Sequence, residues 1–319
     1  MGIVHFAGLG KSAGAVTAGL GCITHKYEQH NVQYGELVES LVIFTSPEIA
    51  NGSEPAFPAE HNKYLSTTVQ QTWPRDKTNA LEIVLGFMER KFPKAEVYQV
   101  IVDVNDFSAC FDAVGRATLK FHEPGKVGKH IWANITGGSN LLNAAIVQIA
   151  YMSGFIARLY YTFVADLRTY GKYLQAFSDD ENEFRFRELY TFKTHFDERH
   201  RYILETLEEV EANTPERYVT SNELLNRLKS NCLKSRRPDV FGSMDLTTFK
   251  RDFLNVMWGI EQLGDRKTGQ QDAVRLSDDG RNILKLIRQP LFQALVYRER
   301  LSQEEITDIV NRLDIKRLR

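Results

Sequence analysis

The chain lacks cysteine pairs, long apolar runs and any strong excess of charge. Its three cysteines, Cys22, Cys110 and Cys232, form no CxxC motif, which favours a reduced, cytoplasmic protein. No apolar stretch approaches the ~18–20 residues that a membrane-spanning helix needs, and no signal peptide is expected. The formal net charge of −1 excludes a general attraction to nucleic acid, so any such contact would need a local basic patch.

Strand-like and helix-like patterns alternate through the first half of the 319 residues. Apolar segments predict five strands, at Ile3–Ala7, Leu37–Thr45, Val97–Val104, Ile131–Ile135 and Ala157–Val164. Helical spacing between them predicts helices at Ala13–Thr24, Asp76–Lys91, Phe107–Phe121 and Leu141–Met152. This order predicts an α/β fold, a Rossmann-like parallel sheet with helices on both faces, over residues 1–177. Residues 48–75 are irregular and most simply form a surface excursion.

The pattern changes at the acidic run Ser178–Glu183, which predicts a linker over residues 178–197. Residues 198–319 are expected to form a second, mostly helical domain. Its predicted helices are His200–Val210, Thr220–Lys229, Leu246–Leu263, one beginning near Gly280 and one from Ser302 through Leu313. A polar hairpin-like loop and a short strand lie before the helix near Gly280, and this outline resembles a winged helix-turn-helix domain.

A winged helix-turn-helix domain places the start of its recognition helix in the major groove of DNA. The residues expected to contact double-stranded DNA are Thr247, Thr248, Lys250 and Arg251 on that helix and Arg266 and Lys267 in the wing. A basic loop could meet phosphates nearby; it contains Lys229, Lys234, Arg236 and Arg237. Two readings stay open, because winged helices also serve as dimerisation modules and Glu208, Glu209 and Glu211 would repel phosphate if they faced the same way.

Two glycine-rich loops each follow an apolar strand and lead into a helix. The first is Gly8-Leu-Gly-Lys-Ser-Ala-Gly14 and the second is Thr136-Gly-Gly-Ser-Asn140. Glycine permits close backbone approach to a ligand, and the N–H groups that open a helix attract anions. Two such loops on one parallel sheet predict a shared pocket for a ligand that carries phosphate.

Two common phosphate-binding sites fit the first loop poorly. A Walker motif would need glycine at the position of His5, so a P-loop ATPase is rejected. Gly8-x-Gly10-x-x-Ala13 fits a relaxed dinucleotide fingerprint, but Thr45-Ser46-Pro47 stands where the acidic residue for ribose is expected. NAD(P) is therefore kept as a minor alternative.

The two loops together resemble CRISPR-associated Rossmann-fold (CARF) domains over residues 1–170. The strand, the segment Gly8–Thr17 and the helix resemble the family's opening, and Asn134-Ile-Thr-Gly-Gly-Ser-Asn140 resembles its second signature, a strand ending in Asn-x-Thr-Gly-Gly-Thr-Lys. The departure is Asn140, where the family commonly has lysine. Lys11 would supply the missing charge.

The resemblance implies a homodimer whose paired loops bind a cyclic oligoadenylate. The ligand-binding residues would be Gly8, Leu9, Gly10, Lys11, Ser12, Thr136, Gly137, Gly138, Ser139 and Asn140. The expected function is regulation of a type III CRISPR system, with the ligand controlling DNA binding by the winged helix. No catalytic residue, metal or cofactor is predicted. Arg187 and His195 are separated by seven residues, which is outside the spacing of the family's ribonuclease motif. The alternative functions are a ring nuclease that cleaves the cyclic oligoadenylate or a ribonuclease effector controlled by the CARF domain.

Overall fold

The protein is described by a computed structural model. It describes residues 2–28, 36–54, 79–122, 130–164, 184–191, 193, 197–214, 218–235, 237, 239–259, 262–263 and 273–319. The chain divides into two compact units, Met1–Thr194 with Ala294–Arg319, and His195–Gln293.

A seven-stranded sheet forms the centre of the first unit. Its strands are β1 Gly2–Leu9, β2 Glu36–Thr45, β3 Glu96–Ile101, β4 His130–Asn134, β5 Ile156–Val164, β6 Phe184–Tyr190 and β9 Ile315–Arg317. They lie in the order β6-β5-β4-β1-β2-β3-β9, and the five central strands are parallel. The predicted α/β class and all five predicted strands are confirmed.

Helices connect the strands of the first unit. They are α1 Gly14–Glu28, the short α2 Pro47–Ala50, α3 Ala80–Lys91, α4 Phe107–Phe121, α5 Asn140–Ser153 and α12 Gln303–Asn311. A further helix, α11 Pro290–Val296, spans the division between the two units at residue 294. The helix predicted from Ser302 is α12, which begins with a capping box of Ser302 and Glu305. No helix in the described part of the chain is long and apolar enough to cross a bilayer.

Both faces of the sheet are buried, as the all-buried strand β1 shows. Ala7 and Leu9 join a core that includes Val16 of α1 and Val84 of α3. Phe6 points the other way and meets Phe121 of α4, with ring centroids 6.1 Å apart. Alternate residues of one strand therefore pack against helices on opposite faces, which explains why β1 reads as a continuous apolar run.

Two edge strands differ from the sequence expectations. Residues 184–190, assigned above to the linker, form β6 and pair antiparallel with β5. Residues 294–319, assigned above to the second domain, belong to the first unit. The cause is long-range pairing: β9 runs antiparallel to β3, and the Arg116 guanidinium of α4 donates to the carbonyl of Ile309 in α12.

A cluster of charged groups attaches β6 to α1. Glu188 of β6 accepts hydrogen bonds from Lys26 at 2.6 Å, from Arg158 at 2.9 Å and from the hydroxyl of Tyr27. Its side chain is only 14% exposed. Burial alone would raise the pKa of Glu188, but the three hydrogen bonds outweigh burial and hold the pKa below its usual range. The Arg158 guanidinium also lies 4.8 Å above the ring of Trp132.

The second unit is mostly helical. Its helices are α6 Glu198–Asn213, α7 Ser221–Lys234, α8 Leu246–Phe249, α9 Asn255–Gly259 and α10 Asp278–Ile287. Two short strands, β7 Val219–Thr220 and β8 Ala273–Val274, pair antiparallel, and a bridge joins Leu263 to Leu276. The predicted loop residues 264–272 lie outside the described residues.

The prediction of one long helix from Leu246 to Leu263 is wrong in two respects. A π-helical turn, Lys250–Leu254, separates α8 from α9, and Leu263 forms a bridge with Leu276 instead of continuing the helix. The wider π-helical spacing alters the phase of the side chains around it. Regular helical spacing would let Phe249, Phe253, Val256 and Met257 face the core; three of them are buried, whereas Val256 is 48% exposed.

We expect Glu188→Gln to lower the free energy of unfolding by about 1–3 kcal/mol at pH 7, the range for hydrogen bonds to a charged group. Because the folded-state pKa is lowered, this stabilisation is present above the unfolded pKa of about 4.3 and is lost as the pH falls through the folded value. Urea unfolding at pH 7 and pH 3 measures it. Glu89→Gln, a change at an exposed residue of α3, is the control. An equal loss in both variants, or a loss that does not decrease as the pH is lowered, would contradict the assignment.

Candidate functional site

The glycine loops meet at the point where the strand order reverses. After β1 the chain adds β2 and β3 on one side and then returns to add β4 and β5 on the other. In open α/β sheets, ligands bind in the crevice beyond the carboxyl ends of the strands at such a point. The loop after β1 and the loop after β4 form its two sides, because Ala7 pairs with Asn134 in the last register position of the two strands.

The glycines of the two loops lie directly against one another. A Cβ atom on Gly8 would come within 2.8 Å of the carbonyl oxygen of Gly137 and of Cα of Gly138. One on Gly137 would lie 2.5 Å from the carbonyl oxygen of Gly8, and Gly138 has a φ of +83°. These glycines thus permit loop-to-loop packing. Gly10 differs, because a Cβ there would meet nothing within 4 Å.

The polar side chains of the second loop hold the loop itself. The Thr136 hydroxyl accepts from the N–H of Thr162 at 2.8 Å. The Ser139 hydroxyl caps α5 by accepting from the N–H of Leu142 at 3.1 Å and donates to the carbonyl of Val104 at 2.8 Å. Ser139 therefore connects the loop after β4 with the loop after β3.

Asn134 connects the second loop with α1. Its amide nitrogen donates to the carbonyl of Ala15 at 2.9 Å, and its amide oxygen accepts from the N–H of Thr136 at 2.8 Å. The residue is buried. The asparagine of the predicted signature is thus a structural residue that holds both loops in place.

The exposed residues of the two loops include charged and polar side chains. Lys11 and Asn140 are exposed, and Gly10 and Ser12 are half-buried. Nζ of Lys11 lies 3.4 Å from the carboxylate of Glu54, in the segment after α2. The crevice therefore presents one lysine, two helix starts and backbone N–H groups, a set suited to an anion.

Leu9 contributes only backbone atoms at the carboxyl ends of the parallel strands. Its side chain is 2% exposed and belongs to the core, and its carbonyl accepts from the Thr45 hydroxyl at 2.9 Å. Thr45, which stands where a dinucleotide site would have its acidic residue, is fully buried. The end of β2 therefore offers a buried hydroxyl that is already bonded.

His5, at the position where a Walker motif would have glycine, is a core residue. Its Nε2 donates to the carbonyl of Leu37 at 2.8 Å, so Nδ1 accepts from the Tyr160 hydroxyl at 3.0 Å. Burial lowers the pKa of His5 to about 4, against a smaller opposing effect of the Leu37 hydrogen bond. The imidazole is neutral at pH 7.

Two carboxylates after β3 serve local structure. Asp103 accepts from the N–H of Asn105 at 3.0 Å, and Asp106 caps α4 by accepting from the N–H of Ser108 at 2.8 Å. Burial, with a smaller contribution from both carboxylates, raises the pKa of the Cys110 thiol to about 11. Within the described ranges, no group of three or more potential ligands could hold a metal ion.

The start of α8 and the π-helical turn carry the residues predicted to meet DNA. Thr247 and Arg251 are exposed, and Arg251 pairs with Asp252 at 2.5 Å. Thr248 and Lys250 are half-buried, and the Thr248 hydroxyl donates to Asp245 at 2.8 Å. Arg266, Lys267 and His195 lie outside the described residues.

The acidic residues of α6 have partners. Glu208 pairs with Arg288, the residue after α10, at 2.7 Å, and Glu211 pairs with Arg281 of α10 at 2.5 Å. Glu209 lies 3.5 Å from the side-chain amide of Asn231. Two of the three carboxylates are thus neutralised by arginines within the unit.

No sequence pattern marks Glu54 or Asn255 as a neighbour of the predicted site residues. Glu54 lies in the segment read as irregular, and its ion pair with Lys11 spans 43 residues, so no local pattern signals it. Asn255 is exposed beside Val256 on α9, one turn beyond Arg251. Its position depends on the π-helical turn, which sequence spacing does not reveal.

Comparisons with known proteins give distant similarities. No known family profile matches the chain. An uncharacterized protein of Archaeoglobus fulgidus is 24% identical over 193 residues, which cover 52% of this chain and 59% of that protein, so the chain spans little more than half of this relative.

Two solved structures are also similar. Enterococcus italicus Csm6 bound to cyclic hexa-2'-fluoro-hexa-dAMP is 14% identical with a TM-score of 0.36, over 81% of this chain and 57% of that one. A Vibrio cholerae protein is 9% identical with a TM-score of 0.28, over 93% of this chain and 67% of that one. Both TM-scores are too low to establish a shared fold.

We expect Gly8→Ala to destabilise the first unit by about 1–3 kcal/mol, the usual cost of overpacking, because its methyl group would overlap the backbone of the second loop. Gly10→Ala should change the free energy of unfolding by less than about 0.5 kcal/mol, as for a surface substitution. Denaturant unfolding of both variants measures the difference. Equal stability of the two would refute direct packing of the loops.

Proposed function

We propose that the first unit is a CARF-like sensor domain that binds a cyclic oligoadenylate in the crevice between the two glycine loops. The observation that carries the proposal is the meeting of both loops at the reversal point of the sheet, with Lys11 at their exposed edge. The resemblance stated above rests on the motifs of these same two loops, and the parallel strand order supports the Rossmann-like sheet that it implies.

The ligand's phosphates would bind at backbone N–H groups and at Lys11. The N–H groups of Ala15 and Val16 already donate to the carbonyls of Ser12 and Ala13, and the N–H of Leu142 donates to Ser139. The phosphates would therefore meet the positive ends of the two helix dipoles and the N–H groups ahead of these bonded ones. Thr136 and Ser139 act by holding the loop, since their hydroxyls are already bonded. Ser12 and Asn140 are the side chains placed to meet ribose or base edges.

A homodimer would pair two such crevices around one ring. A two-fold symmetric pocket matches a ring of repeating phosphates and adenines, because each protomer presents the same donors to equivalent parts of the ligand. Cleavage of the bound ring is the alternative outcome, and analysis of the ligand after prolonged incubation with the protein separates a sensor from a ring nuclease.

The second unit is proposed to be a winged helix domain that binds DNA under control of the ligand. The order of its elements supports this: α6, β7, α7, the α8–α9 segment, the bridge at Leu263, β8 and α10. The face of the α8–α9 segment that would enter the major groove carries Thr247, Arg251, Asn255 and Val256. Ligand binding would change DNA affinity by favouring one of two dimer states.

Lys11→Ala should weaken binding of a cyclic oligoadenylate by roughly ten- to a hundredfold, the effect of losing one hydrogen bond to a charged group. Lys94→Ala is the control. Lys94 is exposed just before β3, at the amino ends of the parallel strands, whereas the glycine loops lie beyond the carboxyl ends. Calorimetric titration with tetra-, penta- and hexa-adenylate rings measures both. A change below twofold for Lys11→Ala would remove this lysine from the site.

Arg251→Glu should abolish salt-sensitive binding to promoter DNA, because it adds a third acid beside Asp245 and Asp252 where phosphates would lie. Lys285→Glu, on the exposed face of α10, makes the same charge change and should retain binding. Fluorescence anisotropy across a range of salt concentrations tests both. If the wild-type protein binds no DNA with or without ligand, the second unit is a dimerisation or docking element.

A further inference from the structure

The carboxylate of Glu54, from the turn after α2, forms an ion pair with Lys11 of the candidate site. Glu54 lies 3.4 Å from Nζ of Lys11, and the two side chains are 46% and 43% exposed. We propose that Glu54 is an internal counter-ion that sets the affinity of the crevice, because an anionic ligand must displace it from Lys11. The inference rests on the proposed function, since it requires that the ligand bring a phosphate to this lysine.

The structure holds Glu54 in place through its own segment. Ile49 of α2 is 3% exposed and fixes the start of the segment in the core. The N–H of Glu54 donates to the carbonyl of Glu48 at 3.1 Å, which closes the turn. Within it, the Asn51 side chain accepts from the N–H of Ser53 at 2.9 Å, and Gly52 has a φ of +75°. The carboxylate is therefore delivered by an ordered turn rather than by a loose side chain.

The position of this turn explains why it reaches the site. It follows β2, the strand next to β1, so it emerges at the same edge of the sheet as the first glycine loop. The loop after β3 reaches that edge as well, through the hydrogen bond from Ser139 to Val104. Loops after four successive strands thus contribute to the crevice, and the one after β2 contributes a negative charge.

The expected effect of this charge is moderate. Exposed ion pairs contribute little, and displacing one should weaken ligand affinity by about two- to fivefold. The effect should decrease as salt screens the charges.

The experiment compares Glu54→Gln with the wild type in calorimetric titrations with tetra-, penta- and hexa-adenylate rings. We expect about two- to fivefold tighter binding at low salt and a smaller gain at high salt. Glu48→Gln is the matched control, because it removes the same charge from the same segment and its carboxyl accepts from Ser46. It should leave affinity unchanged. The double variant Lys11→Ala, Glu54→Gln should bind no more tightly than Lys11→Ala alone.

The outcomes separate this inference from the proposed function. If the rings bind the wild type and Glu54→Gln equally, Glu54 has no role while the sensor function stands. An equal gain from Glu54→Gln in the presence and absence of Lys11 would also overturn the inference. If no ring binds either protein, the sensor function and the role of Glu54 both fail. Binding to Glu54→Gln alone would support both.

Discussion

Backbone contact between the loops after β1 and β4 is the constraint on which this edge of the sheet depends. The two strands are neighbours and parallel, so their loops leave the sheet side by side. With Gly8, Gly137 and Gly138 they come close enough for backbone to touch backbone. Asn134, Thr136 and Ser139 then bond this unit to α1, β5 and the loop after β3. These contacts hold the two loops against each other and against the rest of the sheet.

The sequence predicted the central sheet because its strands are buried on both faces and therefore read as apolar runs. The edge strands were missed for two different reasons. Residues 184–187 alternate apolar and polar side chains, but this strand signal covers only four residues and follows an acidic run. β9 has three residues and exists through its pairing with β3, more than two hundred residues away, which no local pattern predicts.

The sequence predicted that the two glycine loops lie together, but it did not predict the contacts that each of their residues makes. Glycine and hydroxyl residues suggested direct ligand contact, whereas the structure uses most of them to pack and bond the loops. Sequence cannot distinguish these uses, because both require small or hydrogen-bonding residues at the same positions. Glu54 and the phase shift that exposes Val256 depend on tertiary packing and on a π-helical turn, and neither leaves a recognisable spacing.

The two units differ in how strongly charge supports their proposed partners. Residues 195–293 contain sixteen basic and sixteen acidic side chains, so DNA binding there depends on local arrangement. Binding of a cyclic oligoadenylate in the crevice of the first unit is therefore the central claim.

Calorimetric titration of the wild-type protein with cyclic oligoadenylates and with linear oligoadenylates of equal length tests this claim most directly. One ring should bind per two chains, and the linear forms should bind more weakly. Failure of every ring to bind, or equal binding of the linear forms, would contradict it.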